Sequence, residues 1–213
     1  MIELQLTLQE MGITVAHVKT DSIKIPDATP EIIDFVMKFG EKYGYVFEHE
    51  ATYEKLCLIN ESVYIAKDKS DGHWTATGAQ FQVPYVFKTL FSKEPIIFRD
   101  LCETKSVTSA LYLDFNEGLE PDQHVYQFVG KVGLFCPIQE GHGGGLLLRE
   151  KDGKYHSANG AKGYRWMEAE MVKNLNMEWA IDRSYYNRMV DEAVKTIEQF
   201  GDFEIFVSDA PFD

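Results

Sequence analysis

Apolar residues recur at helical spacing from the first positions of the chain. Leu4, Leu8 and Met11 fall on one face, which predicts a helix over Glu3–Met11 that Gly12 ends. The pattern then changes. Ile13–Pro26, ITVAHVKTDSIKIP, reads as a buried strand, a tight turn carrying Thr20-Asp21-Ser22, and a second strand at Ile23–Ile25. Thr29-Pro30-Glu31 is a helix start, with a hydroxyl at the cap, proline in the first turn and an acid behind it. That helix is predicted to run to about Tyr43, with Ile33, Val36, Met37 and Gly40 inward and Gly44 closing it. Tyr45–Leu58 alternates weakly and reads as a strand, and Ser62–Ala66 reads as its return.

Asp68–Gly72 is a polar turn, Trp74–Gln82 has β character, and Pro84–Phe91 is an aromatic-rich short helix or turn. Arg99–Tyr112 is mixed, with helix as one option. NEGLEPD at Asn116–Asp122 shifts composition and gives the best internal boundary, dividing the chain into 1–115 and 116–213. Val125–Pro137 is strand-like. Leu146–Arg149 and Lys154–Ser157 make a hairpin around Asp152-Gly153. Lys162–Leu175 and Arg183–Phe200 read as helices, the second with Met189, Val190, Val194 and Ile197 on one face, and Asp202–Asp213 reads as a terminal strand with an acidic tail. Helices interleaved with short antiparallel pairs predict an α+β fold.

Composition narrows the function classes. At 213 residues and 45% apolar content the chain can bury a real core as one large domain or two small ones. No stretch approaches the length of a membrane span, and MIELQLTLQE carries acids where a signal peptide has basic residues, so a cytoplasmic location is expected, in a cell or an infected host. Cys57, Cys102 and Cys136 are far apart in sequence and odd in number, which argues for a reducing compartment and against a disulfide frame or a Cys-type zinc site. The net charge of −13 runs against a free-standing nucleic-acid binder, whose affinity comes mostly from phosphate neutralisation. Between Gly141 and Lys173 the balance reverses, with Arg149, Lys151, Lys154, Lys162, Arg165 and Lys173. An ordinary solvated hairpin and helix would account for those residues equally well.

LTLQEMGITVAHVKTDSIKI resembles the helix, strand and acidic hairpin of family B DNA polymerases, of the kind carried by bacteriophages. That hairpin usually reads Tyr-Gly-Asp-Thr-Asp-Ser; here it reads His17-Val18-Lys19-Thr20-Asp21-Ser22. Phe47–Lys67, FEHEATYEKLCLINESVYIAK, is similar to the next two palm strands, where a Lys-x-Tyr element contacts the primer. Tyr64 matches the tyrosine, and Ser62 stands where the lysine is expected.

The resemblance implies a palm-like antiparallel sheet backed by the Pro30–Tyr43 helix, then a thumb-like hairpin and helices. It gives Asp21 the position of the second hairpin acid, a catalytic ligand of two Mg²⁺ ions. Lys19, Ser22 and Tyr64 then fall at nucleotide or primer contacts, and Lys151, Lys154, Lys162 and Arg165 are the expected contacts to duplex backbone. Lys19 replaces the first hairpin acid, and an ammonium there repels a cation, although it can pair with Asp21 or a phosphate. The chain begins one helix before the hairpin and so lacks the family's first acidic motif and fingers lysine. The expectation is a fragment or C-terminal subunit that acts on primer-template DNA only with an N-terminal polymerase half. Asp and Ser also favour plain turns, so Thr20-Asp21-Ser22 taken alone reads as a hairpin turn and nothing more.

Other motifs point to structure. GHGGG at Gly141–Gly145 lacks the lysine, hydroxyl and following helix of a phosphate loop and reads as a hairpin lead-in, with a DNA-backbone clamp as the sharper option. Trp74, Phe81, Tyr85, Phe87 and Phe91 read as core, with base stacking as the minority use. From another class, a chain with 34 acids suits an acidic interaction protein that mimics nucleic acid toward a basic host protein, such as a nuclease or defence factor.

Overall fold

Helix α1 spans Ile2–Glu10 and buries Leu4 and Leu8 completely, as the spacing predicts. A two-residue-tip hairpin follows, β1 (His17–Val18) against β2 (Ile23–Lys24), with Val18 opposite Ile23. Helix α2 spans Pro30–Lys42. The Thr29 hydroxyl accepts from the Ile32 amide, and proline at the first turn leaves no amide unsatisfied. Val36 joins Leu4 and Leu8 in a core to which Ile13, Val15, Ile23, Ile25, Ile32, Phe35, Phe39 and Phe47 add partly buried surface. The helix therefore backs the hairpin, and Phe47 lies so close to Gly40 that an added Cβ would collide with its ring.

In the computed structural model, which describes residues 1–209, the chain divides into two compact units. The first holds 1–78 with 200–202, and the second holds 79–199 with the segment from Phe203 onward. The first unit is completed by a three-stranded antiparallel sheet of β3 (Tyr53–Leu58), β4 (Tyr64–Asp68) and β5 (Trp74–Ala76), with β4 in the centre. Residues 45–52, expected in the first of these strands, have no regular structure. Their acids and His49 supply no second apolar face to pair on.

The second unit opens with α3 (Ala79–Gln82) and α4 (Pro84–Phe87), where strand character was expected at the start. Phe81, Tyr85 and Phe91 are buried here, and Tyr85 stacks on Tyr186 at 5.1 Å, so these three aromatics of the run serve the core, while Trp74 and Phe87 are half-buried. Next come β6 (Glu103–Asp114), β7 (Tyr126–Ile138), β8 (Leu146–Lys151), β9 (Lys154–Ser157) and β10 (Arg165–Glu168). They form one antiparallel sheet in the order β10-β7-β6-β8-β9. A bridge between Gly145 and Trp166 joins the start of β8 to β10, so the sheet curls onto itself. Helices α5 (Ala169–Asn174), α6 (Arg183–Glu198) and α7 (Phe203–Val207) follow.

The fold is α+β with antiparallel sheets, as the sequence predicts. Several expectations change. The boundary expected at Asn116 falls in the connection between β6 and β7, which pair along most of their length, and the division lies instead at Gly78. Arg99–Tyr112 is largely strand, not helix. The C-terminal part carries a five-stranded sheet of which the expected hairpin is one edge. Residues 165–168 are strand because they pair with Phe135–Ile138, a long-range choice that local propensity does not reveal. The terminal segment begins as a helix, and the end of the expected acidic tail, 210–213, lies outside the described residues.

Candidate functional site

Thr20 and Asp21 form the tip of the first hairpin, closed by a hydrogen bond from the Lys19 amide to the Ser22 carbonyl at 2.8 Å. Neither tip residue has a left-handed conformation. The Asp21 side chain is exposed, and among the described residues no hydrogen bond or ion pair occupies its carboxylate. The tip is held from below. His17 is buried, and its Nε2 lies 2.8 Å from the Glu61 carbonyl oxygen. A carbonyl only accepts, so Nε2 carries the proton and donates it. This bond ties the hairpin to the Asn60–Ser62 turn, where the Asn60 side chain accepts from the amides of Ser62 and Val63.

Tyr64, at the start of β4, completes the arrangement. The Lys24 ammonium lies 4.6 Å from the centre of its ring and that of Lys19 lies 6.0 Å away. The structure thus brings together Lys19 and Tyr64, two residues 45 apart in sequence, and adds Lys24, which sequence reasoning missed. Its signal was the period of the strand: Lys24 sits opposite His17 across the ladder. Ser62, where the family has lysine, is exposed on the turn.

Tyr64 is also coupled to Tyr53 on the neighbouring strand, at 6.3 Å between ring centres. Burial pushes the Tyr53 phenol up to about 12, and its hydrogen bond with Tyr64 adds to this. The folded chain therefore holds a proton that the unfolded chain releases at the ordinary value of 10.0. The stabilisation is complete below that value and is lost as pH rises to about 12. Replacing Tyr64 with phenylalanine is expected to bring the Tyr53 titration down toward its ordinary value, without reaching it, because the burial remains. Ultraviolet difference titration reads this directly, and an unmoved transition would separate the two tyrosines.

For metal, this chain provides one exposed carboxylate at the tip, flanked by the Thr20 and Ser22 hydroxyls, with the Lys19 ammonium in the same turn. Among the described residues no cluster of three or more His, Cys, Asp or Glu side chains is gathered as a metal site. A two-ion centre needs carboxylates from separate strands. These donors alone do not complete one.

The four cationic residues expected on DNA backbone do not form a single patch. Lys151 and Lys154 are directly opposed at the tip of the β8–β9 hairpin, both exposed, around Asp152 and Gly153 with φ of 54° and 71°. Arg165 begins β10 next to the Gly145 bridge and is engaged by Glu117 at 2.7 Å. Lys151 lies six residue steps along the strand from Gly145, which places Arg165 roughly 20 Å from the hairpin tip at a rise of about 3.3 Å per residue. Lys162 is exposed on the connection into β10.

The glycine-rich segment has a packing role. A Cβ on Gly144 would press on Arg165 and Ile138, so the approach to β10 needs it bare, and one on Gly145 would overlap the Asp114 backbone at the end of β6, so the approach to that strand needs the second glycine. One surface went unpredicted. Tyr112, Tyr126, Phe128 and Tyr155 share a face of the second sheet, with Tyr126 stacked on Tyr155 at 4.2 Å and Phe128 65% exposed. Alternation in β6 and β7 was its available signal.

No protein-family model, curated protein or solved structure matches this chain. No helix among the described residues is long and apolar enough to cross a membrane.

Proposed function

We propose that this chain is the C-terminal palm-and-thumb portion of a family B DNA polymerase of bacteriophage type. It would be a fragment or a separately encoded subunit, working with an N-terminal half on primer-template DNA in the host cytoplasm. Asp21 contributes one carboxylate to a Mg²⁺ site whose remaining ligands come from another chain or segment. One observation carries this reading. The two segments most similar to the family, separated by the whole of α2, fold against each other into a single site. There the hairpin acid is exposed at a hydrogen-bonded turn whose Lys19 reaches toward the Tyr64 ring, as suits a carboxylate shared with another polypeptide. Lys19 stands beside that carboxylate as a phosphate contact in place of the first hairpin acid, and Ser22 lies next to it at the nucleotide.

Lys151 and Lys154 hold the product duplex by its phosphates, reading charge and shape without sequence. Lys162 and Arg165 contact the backbone further along. The test is binding of primer-template DNA as salt is varied. Binding that weakens with salt is expected, and the double substitution Lys151→Ala with Lys154→Ala lowers the logarithmic salt slope by roughly two, since each phosphate contact contributes about 0.9. A slope unchanged by the double substitution removes the hairpin from the DNA interface.

A second reading has its own observation. The exposed aromatic sheet face carries Asp114 and Glu150 in register with its tyrosines, on a chain of charge −13. Acids ringing apolar rings suit a basic protein better than a phosphate backbone. An acidic interaction protein built on a polymerase-derived domain is therefore the alternative. Absence of DNA binding together with tight, salt-sensitive binding to a basic DNA-binding protein selects it.

A further inference from the structure

Cys102 and Cys136 are distant in sequence and adjacent in space. Cys102 follows the short turn Phe98–Leu101 and immediately precedes β6; Cys136 lies in β7. Glu103 pairs with Phe135 in the ladder, so one step back along β6 and one step on along β7 sets Cys102 directly opposite Cys136. Directly opposed residues of antiparallel strands have Cα atoms about 4.5–5.5 Å apart, inside the window of roughly 4.4–6.8 Å that a disulfide spans. The sulfurs lie 3.5 Å apart, and both residues are free thiols. Nothing in the polymerase reading uses them.

We infer that Cys102 and Cys136 form a reversible intramolecular disulfide when the chain meets a hydroperoxide, making the root of β6 and β7 an oxidation-sensitive clasp. The two thiols are unequal, which sets the order of events. Cys136 is fully buried, while Cys102 is partly accessible. The hydrogen bond from the Cys136 thiol holds the Cys102 pKa below the ordinary thiol value; burial opposes it, the charges of Arg99 and Lys173 add to it, and Asp100 opposes it slightly. The Cys136 thiol is pushed up. Cys102 is thus the attacking thiolate and Cys136 the resolving thiol.

In the first step the Cys102 sulfur attacks a peroxide oxygen. The O–O bond breaks, the departing oxygen takes a proton, and Cys102 becomes a sulfenic acid. In the second step the Cys136 sulfur attacks the Cys102 sulfur. The S–S bond forms, the S–O bond breaks, and the hydroxide leaves as water with the Cys136 proton. Two thiols lose two electrons and two protons, and one hydrogen peroxide becomes two waters. A thiol reductant reverses the change. Cys57 belongs to the first unit, and its burial pushes its thiol up.

Thiol counting on the intact chain tests this. After limited hydrogen peroxide, quenching and denaturation, alkylation is expected to label one cysteine, Cys57, instead of three, with full labelling restored by dithiothreitol. Peptide mapping then finds the Cys102 and Cys136 peptides joined and lighter by two hydrogens. In Cys136→Ala, dimedone is expected to trap a sulfenic acid on Cys102, while Cys102→Ala gives no adduct on Cys136. The wild-type count needs no variant to fold. Three labelled thiols after peroxide, a bridge that includes Cys57, or irreversible over-oxidation of Cys102 with Cys136 still free each overturn the proposal.

Discussion

On the proposed polymerase reading, Asp21→Ala is expected to abolish Mg²⁺-dependent primer extension by this chain assembled with a polypeptide that supplies a first acidic motif and fingers. The reason is the scarcity of acids at the hairpin tip. On that reading Lys19 stands where the hairpin would carry its other acid, so nothing in the turn can substitute for the lost carboxylate. Removing one preorganised charged group from a site where phosphate charge must be stabilised lowers turnover by roughly 10³-fold, about 4 kcal/mol at 1.36 kcal/mol per tenfold. Asp21→Asn keeps the shape, loses the charge and is expected to fail equally. Stability separates this from misfolding. Asp21 is exposed and makes no side-chain contact that packing depends on, so the unfolding free energy should stay within about 0.5 kcal/mol of wild type. Extension by the mutant at the wild-type rate would remove Asp21 from the mechanism and leave the interaction-protein reading standing.

Trp166→Ala should destabilise the second unit more than any change at the candidate site affects the first. Trp166 is completely buried in β10. Its indole N–H donates to the Ala161 carbonyl at 3.0 Å, its ring meets Tyr185 edge-on at 5.4 Å, and Lys105 lies 4.9 Å from its ring centre. Truncation removes the transfer free energy of the indole, leaves a cavity and strips the Ala161 carbonyl of its partner, together about 4–5 kcal/mol. That is a large share of the roughly 5–15 kcal/mol that holds a domain. Hydrogen-exchange protection of the β6 and β7 amides should fall by about 10³-fold or more, at 1.4 kcal/mol per tenfold. Protection within tenfold of wild type would show that the curled sheet does not depend on this side chain.

Legibility followed the range of the interactions involved. Helix α2 was readable because its signals are local: Thr29 at the cap, Pro30 behind it, and Val36 and Gly40 one turn apart on the inner face. The first hairpin was readable for the same reason, its turn chemistry lying within Lys19–Ser22. The hairpin around Asp152-Gly153 also carries its own turn code. In β6, by contrast, Glu103, Lys105 and Ser109 lie on the partly buried face with Val107 as the one apolar residue, so before Leu111 the burial alternates while the apolar pattern does not, and the segment reads as mixed. Residues 165–168 become strand through partners roughly thirty positions away.

The candidate site divides in the same way. The place of Asp21 at the hairpin tip was readable from six consecutive residues, and its exposure is a property of a two-residue tip. Lys24 was not identifiable, because its importance comes from the Tyr64 ring that tertiary contact places under it. The cationic residues from Lys151 to Arg165 look like one stripe in sequence and are separated by the length of a strand in space. The thiol pair was invisible, since only the β6–β7 register sets Cys102 against Cys136. The amino-acid order by itself determined the three longer helices α1, α2 and α6, the hairpin turns and the acid at the tip, because caps, periodicity and turn residues act over a few positions. Tertiary structure decided which strands pair, where the units divide and which side chains meet, because each of those outcomes is fixed by burying surface between segments that sequence distance leaves unrelated.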